Sequence, residues 1–272
     1  MSVKKEASGR RSVQVEVEVP GTPEEVWQAI ATGPGISSWF VPTKFEEVDG
    51  KPVAVTLNFG PGMDSRSVVT KWDPPHMFGA QGEGWGGSPA IADEWTVEAR
   101  AGGTCLVRVV HSLFADKDDW DNQLEGTEKG WPAFFRILTI YLTHFRGQRS
   151  AMMQWLAPAA GNTAEAWETL TAALGLKGAS AGQRCTAPAD VPTLGGIIEH
   201  VNQKPYNTLV RLDTPSAGAA AFGAVNFGGQ TMVTLSFYLY GDHAADTVAR
   251  ETPVWDAWVQ ERFPMSSEPG NS

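Results

Sequence analysis

TPEEVW at residues 22–27 and NTAEAW at residues 162–167 are the two stretches that decide the fold of this chain. In the first, Thr22 stands at the N-cap of a helix, Pro23 takes the first helical position, and Glu25 completes a capping box. The second stretch has the same arrangement, with an asparagine at the N-cap and a glutamate three residues later. A capped helix start therefore occurs once in each half of the chain.

Two other features repeat in the same order. Gly-Gly pairs at 102–103 and 228–229 each begin an apolar strand, and Pro132 and Pro253 each begin an aromatic-rich helical segment. A helix start, a glycine-led strand and a closing helix, found twice in this order, are typical of an internal repeat. The sequence therefore predicts a tandem duplication with a shorter, degenerate second copy.

Hydrophobic periodicity and turn signals predict the elements of the first copy. A strictly alternating strand at 13–19 precedes a helix at 23–31, and short strands follow it as far as residue 112. A helix at 130–155, with one wide apolar face, closes the copy. This order predicts an α+β domain at 12–156, in which a curved antiparallel sheet wraps around a long C-terminal helix.

The second domain is predicted at 162–264. It is expected to begin directly with its helix, without a first strand of its own, after a linker at 157–161 that contains proline and glycine. The polar segments 1–11 and 265–272 are expected to be flexible tails. A missing first strand would leave a sheet edge for the other domain or a second subunit to cover, so the oligomeric state stays open.

The composition excludes several classes of partner. The chain has 31 acidic and 21 basic residues and a formal net charge of −10, which argues against nucleic-acid binding and against docking to anionic membranes. We find no signal-peptide pattern and no run of 18 apolar residues, so a cytoplasmic protein without a membrane span is expected. Cys105 and Cys185 lie far apart and are expected to be free thiols.

Six short motifs of the first half together carry a family resemblance: Pro23-Glu24-Glu25-Val26-Trp27, Trp39-Phe40, Glu94-Trp95, Gly102-Gly103-Thr104, His111-Ser112 and Gly130-Trp131. With them, the first half of the chain resembles the SRPBCC superfamily, which has the helix-grip fold of START-like domains. Within it, residues 12–155 look most like the family named for the activator of heat-shock-protein-90 ATPase. The resemblance implies a hydrophobic cavity between the curved sheet and the long helix. Some members bind lipids, hormones or polyketides, a few catalyse cyclisation or dehydration, and one branch contacts a chaperone.

Aromatic and aliphatic side chains are the candidate lining of such a cavity. They either form a filled core or surround a small apolar pocket, and the sequence leaves both interpretations open. Tyr141 lies near the apolar face of the long helix, so its hydroxyl is a candidate polar group there. The candidate ligand-binding residues are Trp39, Phe40, Phe59, Phe78, Trp95, Val97, Val107, Val109, His111, Trp131, Phe134, Phe135, Leu138, Tyr141 and Leu142.

His111 and Asp93 are the candidate catalytic residues. His111 shares one strand face with Val107 and Val109, where an imidazole would serve as a polar anchor or a general base. The alternative is a core histidine that hydrogen-bonds to the backbone. Asp93 shares a face with Trp95, and it either pairs with His111 or is an exposed carboxylate at the end of its strand.

Other chemistry is not indicated. The five histidines show no HxxxH or HxH spacing and no cysteine pair joins them, so neither a metal nor a cofactor is expected. The chain lacks a GxSxG nucleophile elbow, a P-loop and a GxGxxG between strand and helix. Glu83 and Trp85, in the glycine-rich segment 82–89, either gate a cavity mouth or belong to a plain loop.

Three functions remain as hypotheses. The first is non-catalytic binding of a small hydrophobic ligand, such as a lipid or a polyketide-like molecule, and the missing catalytic constellation favours this non-enzymatic interpretation. The second, implied by the resemblance, is a chaperone-linked or other protein-interaction module. The third is an enzyme of the cyclase or dehydratase type that uses His111 and Asp93.

Overall fold

The computed structural model describes residues 3–60, 62–82, 89–114, 121–203 and 206–264. The chain divides into two compact units, an N-terminal unit Met1–Arg149 and a C-terminal unit Ser150–Ser272. Each unit contains a large antiparallel sheet, and the last described element of each unit is a long helix. The predicted α+β class is therefore confirmed. Within the described segments, no helix is both long and apolar enough to cross a membrane.

The N-terminal unit has eight strands and three helices in its described residues. Its strands form one antiparallel sheet in the order β1-β2-β8-β7-β6-β5-β4-β3. The elements are β1 (Lys4–Lys5), β2 (Arg10–Pro20), α1 (Pro23–Ile30), α2 (Gly33–Ser37), β3 (Thr43–Val48), β4 (Lys51–Asn58), β5 (Asp64–Asp73), β6 (Met77–Gly82), β7 (Ile91–Arg100), β8 (Thr104–Phe114) and α3 (Asp121–His144).

The C-terminal unit has six strands and two helices in its described residues. Its antiparallel sheet has the order β10-β11-β12-β13-β14-β9. The apolar core lies between this sheet and the two helices and includes Leu170, Phe222, Phe237 and Trp255. The elements are β9 (Ser150–Pro158), α4 (Thr163–Ala173), β10 (Arg184–Thr186), β11 (Gly195–Gln203), β12 (Tyr206–Thr214), β13 (Gly218–Phe227), β14 (Gln230–Tyr240) and α5 (Ala244–Arg262).

The C-terminal unit has a first strand that the sequence analysis misses. β9 pairs with β14 along its whole length, with Trp155 opposite Leu235. The second unit therefore begins at Ser150, before its helix and not directly with it. The predicted bounds 12–156 and 162–264 are wrong on this point, because they assign this strand to the first domain and to a linker.

The long helix α3 ends earlier than predicted. We expect a helix at 130–155, whereas α3 ends at His144 and is followed by Gly147, whose φ of 76° interrupts the helical path. Met152 also fits the apolar face of a helix, which is why the segment is misjudged. In the fold, residues 153–157 alternate between buried and more exposed positions, as a strand does.

The same helix also begins earlier than predicted, at Asp121. Its carboxylate accepts a hydrogen bond from the buried Arg11 guanidinium at 2.7 Å and lies 2.8 Å from the Lys5 ammonium. One turn later, Leu124 packs against Val13 of β2 and Leu113 of β8. These contacts stabilise a polar first turn that sequence periodicity does not mark as helical.

Residues 3–11 are part of the folded unit, contrary to the expected flexible tail at 1–11. Lys4 and Lys5 form a short strand opposite Ser12 and Arg11, and β2 already begins at Arg10. The ion pairs of Lys5 and Arg11 with α3 explain this order, because they tie the segment to the rest of the unit. The other predicted tail, 265–272, lies outside the described residues.

Both predicted capping boxes are present. The Glu25 carboxylate accepts from the Thr22 backbone N–H at 2.9 Å, and the Thr22 hydroxyl accepts from the Glu25 N–H at 3.3 Å. In the second box, Asn162 and Glu165 exchange the equivalent bonds. Glu25 has one further partner, since it accepts from the Arg146 guanidinium at 2.6 Å just after α3. The first box therefore also connects α1 to the end of α3.

The second capping box gives a stability prediction. Replacing Asn162 by Ala removes the acceptor for the first backbone N–H groups of α4, so it should destabilise the protein by about 1 kcal/mol. Thr169→Ala is the matched control, because Thr169 is exposed in the middle of α4 and bonds only to the Glu165 carbonyl. Urea unfolding followed by circular dichroism measures both variants. Equal stability of the two variants would contradict the role of the cap.

The anchoring of α3 gives a pH prediction. Hydrogen bonds from Lys5 and Arg11 lower the pKa of Asp121 below its ordinary value near 3.8. A lowered folded-state pKa stabilises the fold above the unfolded pKa, and this stability is lost as the pH falls through the folded value. Asp121→Asn should therefore lower the melting temperature at pH 7, and the difference from wild type should shrink below about pH 4.

The control for this prediction is Glu125→Gln. Glu125 forms an exposed pair with Lys129 one turn along the same helix, so its loss should change the melting temperature little at any pH. A difference between Asp121→Asn and wild type that stays constant from pH 7 to pH 2 would show that the ion pairs do not anchor the helix.

Candidate functional site

The sheet register places the candidate polar residues in one row beneath α3. Val13 of β2 lies opposite His111 of β8, which lies opposite Asp93 of β7, which lies opposite Ala80 of β6. Directly opposed residues of antiparallel strands point to the same face. The row is therefore continuous across four strands, and its two polar members are neighbours.

The next row of the same face is aromatic. Val109 of β8 lies opposite Trp95 of β7, which lies opposite Phe78 of β6. The rings of Trp95 and Phe78 stack with centroids 6.0 Å apart and planes at 5°. Trp131 of α3 meets Trp95 edge-on at 5.1 Å, so the helix contributes an aromatic ring directly above this row.

Trp131 is the centre of the aromatic cluster. Its ring lies 5.2 Å from Phe40, 5.3 Å from Phe135 and 6.4 Å from Trp39, measured between centroids. The Trp39 indole N–H donates to the carbonyl of Ala29 at 2.9 Å, which fixes that ring against α1. The helices α1, α2 and α3 and the sheet therefore meet at one group of rings.

The predicted ligand-binding residues are all buried except Phe59 and Phe134, which are half-buried. The ring centroids of these two residues lie 5.8 and 4.6 Å from that of Phe40. Their role in binding stays a prediction.

His111 is held from two sides. Its Nδ1 lies 2.5 Å from Asp93 Oδ1, and its ring stacks on Trp131 at 5.3 Å with an interplanar angle of 17°. The imidazole is buried, whereas the Asp93 side chain keeps 30% of its surface exposed. Of the two arrangements considered for Asp93, the pair with His111 is therefore the one that forms.

The second ring nitrogen of His111 has no hydrogen-bond partner in the part of the chain that the structure describes. In the described part of the N-terminal unit, Nε2 is the one buried side-chain nitrogen or oxygen atom without a hydrogen bond. A carboxylate on one imidazole nitrogen orients the ring and leaves the other nitrogen available for a bound molecule. The arrangement can therefore anchor a polar group or transfer a proton at Nε2.

Tyr141 does not take the role suggested by its sequence position. Its hydroxyl hydrogen-bonds to the Gly147 backbone and to the Ser38 side chain, and burial raises the pKa of the phenol. Ser38 in turn donates to the carbonyl of Gln148 at 3.1 Å. The hydroxyl therefore stabilises the turn after α3, and the expectation that it points into a cavity loses its basis.

Two tryptophans of the aromatic cluster are absent from the predicted ligand-binding residues. Trp27 and Trp72 lie 5.1 Å apart, and each lies 6.0 Å from Phe78. Simple alternation along β5 places Trp72 on the outer face. A bulge between Val69 and Lys71 shifts the register by one residue and turns Trp72 inward. Helical periodicity does indicate Trp27, which follows the capping box on the buried face of α1.

Other predicted features are placed as follows. Glu83 and Trp85 lie outside the described residues. No group of three or more His, Cys, Asp or Glu side chains that could hold a metal ion occurs within the described ranges.

An open groove of about 270 Å³ is lined by Lys4, Glu6, Arg10 and neighbouring polar residues, and it includes none of the candidate site residues. The site around His111 is the stronger candidate, because its geometry allows His111 to anchor a polar group or to transfer a proton.

One protein-family model matches a large part of the N-terminal unit. Residues 10–136 match the family model described as "Polyketide cyclase / dehydrase and lipid transport". The matched segment starts with β2 and ends inside α3, so it contains Asp93, His111 and Trp131. No curated protein matches the chain.

Comparison with solved structures finds several that are similar to this chain. The di-domain ARO/CYC protein BexL from the BE-7585A biosynthetic pathway is 11% identical, with 94% of this chain and 99% of that chain covered and a TM-score of 0.45. DynU16 from the dynemicin biosynthetic locus is 18% identical, with 94% and 89% covered and a TM-score of 0.43. The Aha1 dimer from Colwellia psychrerythraea is 20% identical, with 50% and 98% covered and a TM-score of 0.39.

The position of the Tyr141 hydroxyl gives a prediction that separates structure from binding. Tyr141→Phe should lower the free energy of unfolding by about 1 kcal/mol, because it removes a buried hydrogen-bonded group. Binding of a hydrophobic probe such as naphthol should be unchanged, since the hydroxyl is engaged by Ser38 and Gly147. Urea unfolding and calorimetric titration measure the two effects. Weakened binding with unaltered stability would restore the cavity-lining role.

Proposed function

We propose that the N-terminal unit, an SRPBCC-type domain of the polyketide cyclase/dehydrase and lipid transport family, binds a small hydrophobic molecule between its sheet and α3. His111 is the polar anchor of this molecule. The observation that carries the proposal is the buried Nε2 atom of His111, which has no hydrogen-bond partner among the described residues.

An unpaired buried polar atom is unfavourable. Leaving such an atom without a partner costs about 1–3 kcal/mol, and native proteins retain few of them. A ligand that hydrogen-bonds to His111 Nε2 would remove this penalty, and the free energy would appear as affinity. The unpaired atom therefore supports a bound state that differs from the structure described.

The surroundings of His111 match the chemistry of small-molecule sites. Such sites are mainly apolar and contain a few polar groups that fix the orientation of the ligand. Around His111 the neighbours are aromatic, with Trp131 stacked on its ring and Trp39, Phe40 and Trp95 next to Trp131. The only ionisable group that contacts His111 among the described residues is Asp93, on the opposite ring nitrogen.

Binding requires a local rearrangement. Nε2 is shielded from water, so a ligand atom reaches it only when a neighbouring group moves. Trp131 is the neighbour that covers the imidazole face. Tryptophan fluorescence should therefore respond to binding.

A second candidate function is catalysis of a cyclisation or dehydration. The observation that favours it is the Asp93–His111 pair, because a carboxylate that orients an imidazole is a common general-base arrangement. In this case Nε2 would remove a proton from the bound molecule instead of only holding it. Both functions use the same site and differ in whether the molecule leaves changed.

We also propose that the C-terminal unit is a degenerate second copy of the same fold. Its order of strand β9, helix α4, antiparallel strands and helix α5 repeats the order of β2, α1, the strands β3 to β8 and α3. In both units the strand that precedes the capped helix, β2 or β9, pairs with the last strand of its sheet, β8 or β14. The two capping boxes occupy equivalent places, directly after these strands.

His111→Leu tests the proposed anchor. The substitution removes the unpaired nitrogen and puts an apolar side chain in its place, so the melting temperature should change little or rise. The affinity for naphthol should fall about tenfold, because the anchoring hydrogen bond is lost. His144→Leu is the control, because His144 is exposed on α3 and should leave binding unchanged. Calorimetric titration and thermal unfolding give both quantities. Unchanged naphthol affinity in His111→Leu would contradict the anchor.

Denaturing extraction of the purified proteins separates binding from catalysis. If the unit only binds, wild type and His111→Leu should release the same molecule, in a smaller amount from the variant. If the unit catalyses dehydration, the molecule released by the variant should be heavier by one water. Mass spectrometry of the two extracts decides between these outcomes.

A further inference from the structure

We infer that the site around His111 selects molecules that present a hydroxyl group, and that it discriminates against ketones, ethers and plain hydrocarbons of the same shape. This inference rests on the proposed function, because it names the class of molecule that the same site takes. It is carried by the position of Asp93 on one nitrogen of the imidazole.

The first step concerns the proton on Nδ1. A carboxylate offers only hydrogen-bond acceptors. Asp93 Oδ1 lies 2.5 Å from His111 Nδ1, so the imidazole proton in this contact belongs to Nδ1. The cross-strand register holds the two side chains directly opposite each other, which makes the contact a fixed property of the sheet.

The second step concerns Nε2. In a neutral imidazole only one nitrogen carries a proton, so protonated Nδ1 leaves Nε2 with a lone pair. The neutral ring therefore presents a bare Nε2 to a bound molecule.

The third step concerns the ligand. A bare nitrogen accepts a hydrogen bond, so its partner must donate one. Alcohols, phenols and enols carry such an O–H group, whereas a ketone or ether oxygen would place two acceptors against each other. Sites that hydrogen-bond a hydroxyl reject analogues that lack it much more strongly than apolar pockets reject a change of size. His111 is thus a specificity-determining residue as well as an anchor.

Asp93 is a positioning residue in this scheme. It does not contact the ligand, and it acts by keeping the proton on the far nitrogen of His111. Removing its carboxylate allows the proton to move to Nε2, where it would favour acceptors instead of donors. Asp93→Ala should therefore largely remove the preference for a hydroxyl, and His111→Leu should abolish it.

The test compares three molecules of similar size: naphthol, its methyl ether and acetylnaphthalene. Calorimetric titration of the full chain should show naphthol binding at least tenfold more tightly than the other two. Asp93→Ala and His111→Leu should bring the three affinities to within about threefold of each other, while His144→Leu should retain the wild-type preference. Equal affinities in wild type would overturn this inference and leave the proposed binding function standing.

The absence of binding by all three molecules would instead count against the proposed function, so the tautomer is measured separately. ¹⁵N NMR of histidine-labelled protein at pH 7 should show, for His111, a protonated Nδ1 and an unprotonated Nε2. In Asp93→Ala a resonance of the Nε2-protonated form should appear. A wild-type His111 that is protonated on Nε2, alone or together with Nδ1, would overturn the inference whatever the titrations show.

Discussion

The register between β7 and β8 is the constraint on which the site depends. A shift of one residue would turn every side chain of β8 to the opposite face and separate Asp93 from His111. The turn at residues 101–103 fixes this register, because Gly102 and Gly103 adopt φ values of 83° and 77° that other residues avoid. Two glycines at the turn therefore determine the pairing of two polar residues far along the hairpin.

Local signals predict most of the fold. The capping boxes, the glycine turns and the alternating strands depend on neighbouring residues, so the sequence indicates them directly. The errors occur where distant contacts decide. Asp121 begins α3 because Arg11 binds it, and residues 153–157 are extended because β14 provides a partner for the strand. Neither partner is visible within a short window of sequence.

The residue types of the candidate site and the sheet face that they share could be predicted from the sequence, whereas the contacts between them could not. Alternation places His111 and Asp93 on one face, while the distance between them and the unpaired Nε2 depend on the three-dimensional arrangement. Alternation does not predict the inward position of Trp72, because a bulge in β5 shifts the pattern from which the faces of the strand are assigned. The Tyr141 hydroxyl bonds to a turn that periodicity cannot position.

Helix α3 is fastened at both ends, and this limits how a guest can enter. Asp121 is tied to Arg11 at one end, and Arg146 is tied to Glu25 just beyond the other. Ion pairs at both ends oppose a swing of the whole helix away from the sheet. Pro132 lies near its middle and lacks the backbone N–H that a helix uses at that position. Bowing at this point would admit a molecule without breaking either ion pair, and high salt would weaken the hold on both ends by screening these pairs.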